Sequence, residues 1–142
     1  MLAELPVPLI VKLTPNVADP AAIAIAAEQA GADAVSLINT IKAAPLLADG
    51  RSWLGAGSGG LSGPAVRTIA LKQVADVAAA VEIPVVGMGG IERGSHAAAL
   101  LGAGATVVAV GTASFRDPLA AERIRGELEA LRREAAVAGG RP

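Results

Sequence analysis

Two glycine clusters have the spacing to hold a phosphate. "GMGG" (87–90) and "VGTA" (110–113) each follow a short apolar run. Gly89, Gly90, Gly111 and Thr112 would offer backbone N–H groups unshielded by Cβ, and Thr112 adds a hydroxyl. A helix N-terminus close by would add the positive end of its dipole. One such pair reads equally well as a tight turn needing positive φ. Two of them, after consecutive strands, favour phosphate. The dinucleotide pattern G-x-G-x-x-G is not met, because residue 92 is Glu.

Three further groups join them. Lys12 sits inside "LIVKLT", where a covered strand would strand its ammonium unless it met an anionic or electron-rich ligand; the alternative is a side chain that snorkels to water. Asn39 and Thr40 close "SLINT" (36–40). An Asn there either meets an amide- or imide-like ligand edge or caps a turn, and residue type leaves both open. "GSGGLSGPA" (57–65) is a glycine loop fit for close approach, a lid or a linker. Trp53 is a hydrophobic cover or plain packing. His96 is expected on an exposed helix face without a role. Glu122, Glu127, Glu129 and Glu134, interleaved with Arg123, Arg125, Arg132 and Arg133, read as a solvated helix face with i,i+4 pairs.

Strands and helices must alternate to bring these groups together. Apolar runs predict strands at 8–14, 33–38, 83–87 and 106–111. Helices are expected from Asp19-Pro20 to Gly31, over 64–81, over 94–104, and from Asp117-Pro118 to about 136. Residues 39–63 read as a long polar, glycine-rich stretch, and 137–142 as a frayed tail. "AAEQAGADAVSLI" (26–38) resembles "AALLGAGATVVAV" (98–110), and "PVPLIVKLTPN" (6–16) resembles "EIPVVGMGGI" (82–91). Four parallel strand–helix units, paired by this repeat, make about half of a closed eight-unit (β/α)8 TIM barrel. An open flavodoxin-like sheet needs helices on both faces and leaves the repeat unexplained.

Composition narrows the functions. The 142 residues are 53% hydrophobic with a net charge of −1, which excludes a disordered chain and gives no basic field for nucleic acid. With no cysteine and one histidine, disulfides, thiol nucleophiles, Cys-zinc sites and a serine triad drop out, and no metal site is expected. No apolar run is long enough to span a bilayer and no leader pattern opens the chain, so no membrane partner and a cytoplasmic location are expected.

The ordered set "VKLTPN", "INT", "GGLSGPA", "GMGGI" and "AVGTA" resembles the class 1 dihydroorotate dehydrogenases, the 1B subgroup especially, from about residue 6 to about 120. The resemblance implies one partial FMN-binding barrel domain over 1–142, corresponding to barrel units five to eight. It implies that Lys12 contacts the flavin ring, that Ile38 touches it through its backbone, and that Gly63 is the flavin-contacting glycine of "LSGP". Gly89, Gly90, Gly111 and Thr112 then cradle the FMN phosphate. Asn39 and Thr40 hold the pyrimidine, dihydroorotate or its product orotate. The family reaction, a step of pyrimidine (UMP) biosynthesis, uses a cysteine base from the N-terminal half-barrel; this chain has no cysteine, so no catalytic residue is assigned within it. The expected partners are that N-terminal half, in cis or in trans, and, in a 1B homodimer, an electron-transfer subunit carrying FAD and an iron–sulfur cluster. The chain alone is expected to be inactive. The competing expectations are a non-catalytic half-barrel that binds FMN or phosphate, and another phosphate-binding barrel enzyme, thiamine-phosphate synthase-like or dihydropyrimidine dehydrogenase-like.

Overall fold

The computed structural model describes residues 6–139. The elements run β1 (Ile10–Lys12), α1 (Pro20–Gln29), β2 (Ala34–Leu37), β3 (Ile41–Ala43), β4 (Gly59–Leu61), α2 (Arg67–Ala78), β5 (Val85–Met88), α3 (Gly94–Gly102), β6 (Val107–Ala109) and α4 (Ala120–Gly139). Local chemistry explains the boundaries. The Asp19 carboxylate accepts the Ala22 N–H at 3.1 Å, and Pro20 follows at the first helical position. Gly31 and Gly104, the paired glycines of the internal repeat, both take positive φ, 90° and 104°.

The four main strands are parallel and lie in chain order, β1-β2-β5-β6. Right-handed crossovers that never reverse direction put every helix on one face. The helices accordingly pack in sequence, α1 on α2, α2 on α3 and α3 on α4. This is the topology of a barrel sector, four strand–helix units of a (β/α)8 fold. Val35, Leu37, Val74, Val77 and Leu100 are fully buried between sheet and helices. Each such side chain contributes about 1.5–3 kcal/mol. Side chains alternate, so Lys12, Ser36, Val86 and Val107 form one row across the opposite face, with Met88 beside Ala109 in the next.

Four expectations change. The predicted strands are right in place but longer than the three or four residues that pair. The helix expected over 64–81 begins as a 3₁₀ turn, Pro64–Val66, because Gly63 at φ 81° turns the chain just before it, and it ends at Ala78. Residues 39–63 hold an antiparallel hairpin, β3 with β4, extended by a Leu46–Ser52 bridge. Helix α4 runs to Gly139, so residues 137–139 of the expected frayed tail are helical and the rest lies outside the described residues.

Candidate functional site

Strand ends set the site. The segments leaving the C-terminal ends of β1, β2, β5 and β6, with the loop after β4, enclose a cavity of about 310 Å³. Lys12, Ile38, Asn39, Thr40, Gly63, Gly89, Gly90, Gly111 and Thr112 all line it. The sequence thus picked residues far apart in the chain that the fold brings together.

The glycines divide by cause. Gly89 has φ 132°, and a Cβ there would lie 2.7 Å from the Ala70 Cβ; Gly90 has φ 70°, and its Cβ would lie 2.8 Å from the Gly63 carbonyl oxygen. Turn geometry and packing on α2 already demand glycine at both. Gly111 differs. Its φ is −109°, and a Cβ there would meet no heavy atom of the described residues within 4 Å. Neither a left-handed backbone nor crowding within the chain requires glycine at that cavity wall. Thr112 donates its hydroxyl to Ser62 Oγ at 2.9 Å, which joins the loop after β4 to the turn after β6.

Lys12 corrects an expectation. It is exposed, because the face opposite the helices is uncovered among the described residues, so burial does not strand its ammonium. Among the described residues it forms no salt bridge. Asn39 Oδ1 accepts the Thr40 N–H at 2.8 Å, the turn-capping alternative, while Nδ2 has no partner among the described residues. Ile38 is buried beside Gly89, its Cγ1 3.2 Å from the position of a Cβ there. The Leu37–Ile38 peptide is cis.

Several positioning residues escaped the sequence reading. Asn16 donates Nδ2 to the Thr40 carbonyl at 2.9 Å and accepts the Lys42 N–H at 2.8 Å, so it fastens the segment that carries Thr40. An Asn directly after Pro15 was the available signal. His96 is half-buried rather than exposed, and its Nδ1 accepts the Glu92 N–H at 3.3 Å. Burial lowers its pKa from 6.5, with Arg67 and Arg93 acting in the same direction and Glu92 and Glu127 opposing. Glu127 does form the expected i,i+4 pair with Arg123, at 2.8 Å, but it also accepts the Gly94 N–H at 2.6 Å. That backbone hydrogen bond, followed by the one from Arg123, lowers its pKa from 4.5. Trp53 is 69% exposed in the segment joining β3 to β4, and it lines no part of the cavity. Among the described residues there is no cluster fit to hold a metal and no helix long and apolar enough to cross a membrane.

Comparison with known proteins adds a family. The dihydroorotate dehydrogenase family model matches residues 2–131. The catalytic subunit of dihydroorotate dehydrogenase B (NAD(+)) from Citrifermentans bemidjiense is 52% identical over 123 residues, covering 86% of this chain and 40% of its own length. Dihydroorotate dehydrogenase A (fumarate) from Lacticaseibacillus paracasei is also 52% identical, over 88% of this chain and 43% of its own. The solved structure of a dihydroorotate dehydrogenase from Eimeria tenella in complex with ferulenol superposes with a TM-score of 0.75 at 30% identity, covering 92% of this chain and 35% of that one. The chain therefore spans about two fifths of the length of the relatives it matches.

Proposed function

This chain belongs to the dihydroorotate dehydrogenase family, and from that premise we propose that it supplies the FMN-phosphate cradle and part of the substrate site of an enzyme oxidising dihydroorotate to orotate. The observation that carries this reading is Gly111: its Cβ position is empty, on the wall of the cavity lined by every candidate residue. A glycine that neither a left-handed backbone nor a neighbouring heavy atom among the described residues demands fits a backbone approached by a ligand.

Those residues suit FMN. Gly89, Gly90, Gly111 and Thr112 would hold the phosphate through N–H groups and one hydroxyl. Lys12, unpaired among the described residues, would place a positive charge beside the flavin ring, with Ile38 and Gly63 against it. When bound, FMN supplies the two-electron acceptor for the hydride leaving dihydroorotate. Asn39 and Thr40 would orient the pyrimidine, and Asn39 Nδ2 is the donor left over for it. The proton must leave to a base outside these 142 residues, since the family's cysteine has no counterpart among them. The rest of the barrel, in the same polypeptide or another, would complete the site. The relatives include NAD(+)-linked catalytic subunits, which favours a homodimer with an electron-transfer subunit carrying FAD and an iron–sulfur cluster.

The test is a flavin titration of the purified chain followed by fluorescence. FMN should bind more tightly than riboflavin, which lacks the phosphate. Gly111→Ala should weaken FMN binding while leaving the melting temperature unchanged. Equal affinity for the two flavins, or a Gly111→Ala protein that binds FMN normally, overturns the phosphate assignment.

A further inference from the structure

The two loops of the cradle leave different strands, yet they must converge on one phosphate group. A single side chain on the outer layer ties them together. Arg123, early in α4, donates Nη1 to the Glu92 carbonyl at 3.2 Å, two residues beyond Gly90. Its Nε reaches Asp117 Oδ2 at 3.3 Å, at the end of the segment that starts with Gly111 and Thr112. Nη1 also meets Glu127 Oε1 at 2.8 Å, while Glu127 Oε2 takes the Gly94 N–H at 2.6 Å. His96 accepts the Glu92 N–H. Both backbone polar groups of Glu92 are thus held by side chains, and Arg123 spans from that residue to the other loop.

We propose that Arg123, seated by Glu127, is a positioning residue that sets the distance between the two phosphate-binding loops. The inference rests on the phosphate reading above. The Arg123 side chain is 46% exposed, so its ion pairs contribute little to stability. Its planar fork nevertheless fixes directions that a flexible ammonium would not. Loss of Arg123 should therefore affect phosphate capture more than folding.

Charge must be separated from position. Arg123→Met removes a positive charge and Glu127→Ala removes a negative one. If only the local field mattered, Arg123→Met would weaken an anion's binding and Glu127→Ala would strengthen it. Positioning predicts that both weaken FMN binding, by about tenfold, with riboflavin affinity unchanged and partial recovery in Arg123→Lys. Arg125→Met, on an exposed position of the same helix, serves as the control and should change neither.

The titration uses the full chain with FMN and with riboflavin, and circular dichroism monitors folding. Tighter FMN binding by Glu127→Ala overturns the positioning role. So does a parallel loss of riboflavin affinity, or of folded signal, which would mark a merely structural contact. If the unaltered chain prefers FMN while both variants bind it normally, the role of Arg123 falls and the phosphate cradle stands. If the unaltered chain shows no preference for FMN, the cradle and the role of Arg123 fall together.

Discussion

Lys12 is the one charged side chain among the described residues lining the cavity, so replacing it isolates one electrostatic effect. A cation fixed where negative charge develops lowers a barrier far more than it adds to folding. In a barrel completed by a cysteine-bearing half from a relative, Lys12→Ala should slow flavin reduction by dihydroorotate about 100-fold. The melting temperature should move by no more than about 2 °C, because the side chain is exposed and has no ion-pair partner among the described residues. Stopped-flow absorbance of the flavin gives the first number; an unchanged rate would mean that Lys12 only reaches for water. His96 makes a second prediction. Its folded pKa lies below the ordinary 6.5 because burial disfavours the imidazolium. The unfolded chain therefore takes the proton first. Stability is complete above about pH 6.5 and declines as pH falls below it. Protonated Nδ1 would also cease to accept the Glu92 N–H. Melting curves should fall from pH 7.5 to 5.5 in the parent chain and fall less in His96→Gln. Glu127 acts in a separate window. Its lowered pKa means its contribution is present above pH 4.5 and is lost only in stronger acid.

At the scale of elements, two glycines in helices should respond oppositely to the same substitution. A Cβ at Gly94 would lie 2.5 Å from the Leu128 backbone nitrogen and 2.6 Å from Glu127, where α3 crosses α4. Backbone cannot retreat cheaply, so Gly94→Ala should destabilise by about 1–3 kcal/mol. A Cβ at Gly126 meets nothing within 4 Å, and Gly126→Ala should stabilise by about 0.5–1 kcal/mol. Urea denaturation of the two variants measures both. The close crossing at Gly94 needs α4 folded beside α3, so no local pattern announces it. The same limit explains the hairpin. "IKA" and "GGL" carry too few β-formers to read as strands, and β3 is fastened by Asn16 from far along the chain. Gly60 accommodates Thr40 at that pairing: the space a Cβ would need there is filled by the Thr40 side chain. The four parallel strands were legible because short apolar runs recur between Ala-rich helices and because the chain repeats itself. Most cavity residues were legible because they follow a strand end, where a barrel gathers its loops; Lys12 was legible as a charge inside an apolar run and Gly63 as part of a glycine loop. Arg123 and Glu127 were not, because an i,i+4 pair looks the same whether it merely meets solvent or holds a loop.

Among the described residues the four-stranded sheet is open at both edges, β1 and β6. Ile10 on β1 is 54% exposed and Val107 on β6 is 51% exposed, and both side chains lie on the face away from the helices. Unpaired parallel edges beside an apolar face are a template for further strands. The relatives are longer, and this chain spans about two fifths of each. A complementary four-strand half, added as a separate polypeptide, should pair with β1 and β6, raise the melting temperature and suppress dye binding to exposed apolar surface. The chemistry should follow the same division. The 142 residues contain no cysteine, so the chain alone, loaded with FMN, should reduce no dye when given dihydroorotate. The complemented barrel should reduce it, and cysteine-to-alanine substitution in the added half should abolish that activity while FMN stays bound. Dye reduction by the chain alone would place a working base among these residues and remove the need for the other half.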